Sequence, residues 1–128
     1  MSREILFRGK DIKGNWYEGL LAHNIAKDEW YISNKAGIST AYQVRPETIG
    51  QFTGLTDKNG TKIFENDILQ VNYHGNEIGR VCIYYKFAMY LCDIIYGDVD
   101  FDTLGMLNAN YQLEVIGNVY DNPELIEK

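Results

Sequence analysis

The stretch from Pro46 to Leu69, PETIGQFTGLTDKNGTKIFENDIL, decides the reading of this chain. Its centre is Asp57-Lys58-Asn59-Gly60, flanked by the extended runs Gln51 to Leu55 and Thr61 to Phe64. Asn59-Gly60 suits positive φ, so the spacing predicts a tight or bulged β-hairpin. A second polar corner follows at Glu65-Asn66-Asp67, where Glu65 and Asp67 read as turn-stabilising acceptors. Beyond it Ile68, Gln70 and Asn72 alternate with Leu69, Val71 and Tyr73. That period of two is a strand pattern. A calcium loop starting at Asp57 would put its obligatory glycine at Lys62 and its bidentate glutamate at Ile68. The motif fails on both counts, and a turn remains.

The same grammar extends in both directions. Toward the N-terminus, Ile5-Leu6-Phe7 opens a strand, Asp11-Ile12-Lys13-Gly14 turns, and Trp16 to Leu21 alternates to two faces. Glu29 to Ser33 and Tyr42 to Val44 are short strands around a loop from Asn34 to Thr40. Arg45-Pro46 marks a boundary, because the residue before proline is held extended, and Glu47-Thr48 opens a single helical turn or a tight corner. Toward the C-terminus, His74 to Glu77 turns the chain into a strand over Ile78 to Tyr85. Phe87 to Tyr96 predicts a further strand or pair of strands, and Gly97-Asp98 turns into a strand over Val99 to Leu104. Gly105 to Asn110 reads as loop, and Tyr111 to Tyr120 as a long strand interrupted at Gly117. Asn122-Pro123-Glu124-Leu125 offers an N-cap residue, a first-position proline and an acid in the first turn, hence a short terminal helix. Glu47 to Phe52 echoes Glu114 to Val119 as Glu-x-Ile-Gly-amide-apolar, which suggests two equivalent glycine bends. No 3.6-residue apolar period persists for ten residues, so the chain is read as mainly β.

Composition agrees. Ten Tyr, five Phe and two Trp in 128 residues favour pleated, half-buried surfaces. No apolar run approaches the roughly 20 residues that span a bilayer, and the charged start Met1 to Arg8 lacks the apolar core of a signal peptide. A cytoplasmic protein without a membrane partner is therefore expected. Cys82 and Cys92, ten apart in apolar runs, match no zinc or redox spacing and read as buried structural thiols. Net charge is −6 and unevenly spread: residues 1–50 carry seven basic and six acidic side chains, residues 51–128 five and twelve. From Asp93 onward Lys128 is the sole basic residue. Such a surface repels phosphate backbones, which makes the C-terminal half a poor candidate for binding nucleic acid. It suits solubility, a basic partner or a head-to-tail contact between subunits.

Arg3 to Arg8, Pro46 to Leu55 with Asp57 to Gly60, Ile63 to Ile68, and Val115 to Tyr120 with Asn122 to Leu125 together resemble the YopX family of phage and prophage proteins. The resemblance implies an SH3-like β-barrel core over residues 46–128 with a smaller N-terminal β substructure over residues 1–45. It also implies a phage or prophage gene and a bacterial cytoplasm. It brings no catalytic residue, cofactor or metal site. The family tends to have Glu-Gly-Asp where this chain has Glu65-Asn66-Asp67, a change that Asn tolerates well in a left-handed backbone. Phe52 and Phe64 stand where Tyr is common.

Few residues offer chemistry. Asp98, Asp100 and Asp102 alternate with Val99 and Phe101, which would line three carboxylates along one strand face, about 7 Å apart. That face could meet a divalent cation or a basic partner, or simply water. As a calcium loop it fails, with Thr103 and Ala109 at the glycine and glutamate positions. His23 and His74 are isolated from any nucleophile in sequence. Tyr84-Tyr85-Lys86-Phe87 could stack bases, but the surrounding acidity favours packing in a core or interface. A non-enzymatic binding or assembly module that self-associates, or binds a host or phage protein, is the leading expectation. The alternative is nucleic-acid binding through Arg3, Arg8, Lys10, Lys13 and Arg45.

Overall fold

The structure, a computed structural model, describes residues 4–33 and 40–127. The chain divides into two compact units, Met1–Gly54 and Leu55–Lys128. It is mainly β, with two antiparallel sheets and one short α-helix. Arg3 and the loop from Asn34 to Ala36 and on to Ser39 fall outside the described residues.

The strands β1 (Phe7–Lys10), β2 (Trp16–Asn24), β3 (Glu29–Ser33), β4 (Ala41–Val44), β5 (Gly50–Thr56) and β6 (Lys62–Phe64) form a sheet in the order β4-β3-β2-β1-β5-β6. Asp11 builds the first turn: its Oδ1 accepts from the amides of Lys13 and Asn15 at 2.9 and 2.8 Å. Pro46–Thr48 is a single 3-10 turn, as the proline boundary predicted. Thr48, fully buried, accepts from the Lys10 amide and donates to the Arg45 carbonyl, which ties that turn to β1.

β5 runs on past Gly54 and turns back through Asp57–Gly60 into β6 (Lys62–Phe64). The second unit's sheet has the order β10-β7-β8-β9, from β7 (Asp67–Tyr73), β8 (Asn76–Lys86), β9 (Met89–Gly97) and β10 (Gln112–Asn118). Leu69, Val71, Val81, Ile83, Cys92 and Leu113 fill its core, with Leu104 and Leu107 packed on them from α1 (Leu104–Asn110). No closed barrel is found among the described residues; the four-stranded order ends at β10 and β9.

The polar corners are built as turn chemistry dictates. Asp57 is only 8% exposed, and its Oδ1 accepts from the Asn59 and Thr61 amides, each at 2.9 Å. Its Oδ2 accepts from Val115 in β10 at 2.9 Å, so the turn is stapled to a strand 58 residues away. Burial alone would raise the Asp57 pKa, but these three amides outweigh it and hold the carboxyl below its ordinary 3.8. At the second corner Asn66 takes φ 72°, the left-handed geometry that Asn tolerates, and Asp67 accepts from the Phe64 amide at 2.8 Å.

Four expectations are overturned. Val99 to Leu104 is not a strand: residues 98–102 are irregular and an α-helix begins at Leu104. The expected loop Gly105 to Asn110 is that helix, capped by Thr103, whose hydroxyl accepts from the Met106 amide at 3.3 Å. Seven residues with apolar anchors only at Leu104 and Leu107 are too short to show a helical period. Phe87-Ala88 is not strand but a turn with both φ values positive, 56° and 60°. The Glu47 and Glu114 echo is not structural, since Glu47 lies in the 3-10 turn and Glu114 in β10.

The C-terminal helix is a 3-10 turn, Pro123–Ile126, and Asn122 makes no side-chain cap to it. Instead its Oδ1 accepts from the Asn118 amide at 3.2 Å. β10 is bulged between Val115 and Gly117, where the sequence placed its interruption.

Candidate functional site, an acidic and aromatic cleft

A hollow of about 450 Å³ in the second unit is lined by Tyr73, Ile78, Asp98, Asp100, Phe101, Asn110 and Tyr111. Its walls follow from strand register. His74 and Gly75, with φ 51° and 82°, form the two-residue turn between β7 and β8, which sets Tyr73 against Asn76 and leaves Ile78 just inside β8. On the other side of β7, the pair Gln112↔Asn72 brings Tyr111 beside Tyr73. Their rings meet edge to face at 5.7 Å, and Phe101 adds a third ring 5.9 Å from Tyr111. Asn110 is held by a 2.7 Å bond from its side-chain amide to the Met106 carbonyl. A second hollow of about 280 Å³, with His74 and Gln112 in its lining, shares the Tyr73, Asn110 and Tyr111 wall.

Two glycines bring the acidic segment to the cleft. Gly79 pairs with Gly97, and a Cβ on Gly79 would stand 2.7 Å from the Tyr96 carbonyl oxygen. Gly97 has φ 102°, and a Cβ there would collide with the Ile78 carbonyl and the Gly79 backbone. The close approach lets the Asp98 amide donate to the Ile78 carbonyl at 3.1 Å. Asp98 and Asp100 are then exposed at the cleft, while Val99 between them is buried. Among the described residues no basic side chain forms an ion pair with either.

The three aspartates are thus not a row on a strand. Two reach the cleft; Asp102 lies apart, its carbonyl accepting from the Cys92 amide at 2.8 Å. Among the described residues no group of three or more His, Cys, Asp or Glu is placed to hold a metal ion. The aromatic half of the cleft was not legible beforehand, since Tyr73 and Tyr111 are 38 positions apart and meet only through the β7–β10 register.

Other singled-out residues sit elsewhere. His23 bonds Asp28 at 2.9 Å and stacks on Trp30, with ring centroids 3.7 Å apart. Arg8 and Lys10 lie over the Trp16 ring at 5.0 and 5.7 Å, and Arg45 pairs with Glu47 at 2.7 Å. Tyr84, Tyr85 and Phe87 are not core: they are exposed at the end of the β8–β9 hairpin. Cys82 is half-buried and Cys92 buried; both are free. Burial, then the Asp93 charge, pushes the Cys82 thiol up to about 11, while burial and Asp102 push Cys92 up to about 12. Neither is a poised nucleophile. Among the described residues no helix is long and apolar enough to cross a membrane.

The second unit thus pairs an antiparallel sheet with an open cleft lined by aromatic rings and carboxylates. The YopX protein family model matches residues 7–127, and the chain belongs to that family. Protein EF1440 from Enterococcus faecalis, known as a crystal structure, is similar over 98% of this chain and 100% of its own, with 26% identity and a TM-score of 0.60. No match was found among curated proteins.

Proposed function

We propose that this YopX-family chain is a non-enzymatic binding module whose cleft docks a basic segment of a partner protein. One observation carries the reading: among the described residues no basic side chain forms an ion pair with Asp98 or Asp100, which line the cleft together with Tyr73, Phe101 and Tyr111. A lysine or arginine side chain is suited to such a site, because ring faces and carboxylates both attract a cation while the rings cover its alkyl stem. The module uses no cofactor or metal in this reading, and works as a phage or prophage product in the bacterial cytoplasm. The bulged sheet of the second unit is taken as an opened relative of an SH3-like barrel. Nucleic-acid binding through the first unit is disfavoured, since Arg45 is engaged by Glu47.

The test is an NMR titration with a short Lys/Arg peptide and its uncharged counterpart. Tyr73 and Tyr111 ring signals should move with the charged peptide alone, and the doubly substituted Asp98→Asn, Asp100→Asn chain should not respond. Equal response to both peptides would reject the reading. In a low-salt mobility-shift assay no complex with DNA or RNA is expected.

A further inference from the structure

We infer that the segment seated in this cleft is the β8–β9 hairpin tip of a second copy of the chain, so that copies join head to tail. The inference rests on the docking reading above and names its occupant. β8 and β9 stay in register to Lys86↔Met89, which leaves Phe87-Ala88 as the whole turn. Both residues take left-handed φ, at a position where Asn-Gly is the unstrained choice. Phe87 is 74% exposed, and the Lys86 ammonium lies 5.1 Å from its ring centroid. Tyr85 and Met89 extend the exposed apolar surface, and residues 84–89 include no acid. A strained turn that holds a phenyl ring out in water does nothing for the stability of a lone chain, and patches of this kind mark contact sites.

Tip and cleft match in chemistry. The turn of the tip offers the Phe87 ring and the Lys86 cation; the cleft offers three rings, Asp98 and Asp100, in about 450 Å³. Such a volume lies within the range of roughly 300–1,000 Å³ of sites that enclose sizeable ligands. They also lie at opposite ends of one strand. Ile78 lines the cleft and Lys86 leads into the tip, eight residues along β8, roughly 26 Å at 3.3 Å per residue. A chain therefore cannot fill its own cleft through this rigid hairpin. Insertion into a neighbour uses two different surfaces, which is a heterologous contact and propagates into a ring or an open row.

Analytical ultracentrifugation of the full chain over a concentration series, with circular dichroism to check folding, tests this. Concentration-dependent species larger than a dimer, or a closed ring, are expected, and weaken with salt. A tip variant (Lys86→Glu, Phe87→Ser) and a cleft variant (Asp98→Lys, Asp100→Lys) should each be monomeric. Mixed, they should give a one-to-one dimer that grows no further, because one intact tip meets one intact cleft. A strict monomer at millimolar concentration, or assembly that survives the tip substitutions, overturns the inference. If a Lys/Arg peptide still shifts Tyr73 and Tyr111 in such a monomer, the docking reading stands and the second copy is rejected; if it does not, both fall.

Discussion

Two hairpin ends of the second unit are built in opposite ways. At Asp57–Gly60 a buried carboxylate gathers three backbone amides, one of them from β10, and Lys58 adds a bond to the Leu113 carbonyl and an ion pair with Glu114 at 3.1 Å. At Lys86–Met89 an aromatic side chain is held outward on a left-handed backbone. The first end spends polar groups on holding strands together. The second forgoes local stability to present a surface, which is the usual sign that a segment serves something other than its own fold.

The contrast can be broken in a graded way. The largest effect is expected between the two ends, at the Gly79–Gly97 approach. Gly97→Ala forces a Cβ into backbone at positive φ and should cost about 3 kcal/mol in urea unfolding. Unchanged stability would show that the acidic segment does not need that approach. Next, Asp57→Ala should cost about 2 kcal/mol by leaving amides unpaired, with Asp57→Asn milder. Because the folded Asp57 pKa is lowered, its stabilisation is full above the unfolded value of 3.8 and is lost as pH falls below that value toward the folded one. Acid unfolding curves of wild type and Asp57→Asn should converge in that window.

A smaller effect of opposite sign is expected at the tip. Replacing Phe87-Ala88 by Asn-Gly removes the left-handed strain and should raise stability by about 1 kcal/mol, measured by thermal unfolding. A loss of stability there would mean that Phe87 contributes to the fold, and the contrast would collapse. The smallest effect concerns the thiols on the strands leading to the tip. With folded pKa values raised to about 11 and about 12 from 9.0, Cys82 and Cys92 favour the folded state below pH 9 and withdraw that preference as pH rises through those values. A thiol-specific colorimetric reagent at pH 8 should react slowly with native protein and rapidly once it is unfolded.

How much was legible varies by element. The Asp57–Gly60 turn, the Asn66 corner, the Pro46 turn and the bulge near Gly117 were read correctly, since each depends on one or two residues whose backbone preferences are strong. Strand β3 was predicted with its observed bounds, Glu29–Ser33. α1 was missed because seven residues with two apolar anchors carry no period, and the Phe87-Ala88 turn was missed because nothing local favours it. Asp98 and Asp100 were singled out by alternation, yet the strand that alternation implied does not exist.

The amino-acid sequence by itself determined the β class, the turns at Asp57–Gly60 and Asn66, family membership and the acidic bias of the second half, because these depend on local backbone preference and on composition. Only the tertiary structure decided that Tyr73 stands beside Tyr111, that Asp102 is parted from Asp98 and Asp100, and that Phe87 points to water. Those facts follow from strand register and the Gly79–Gly97 approach, which are settled by many distant contacts at once.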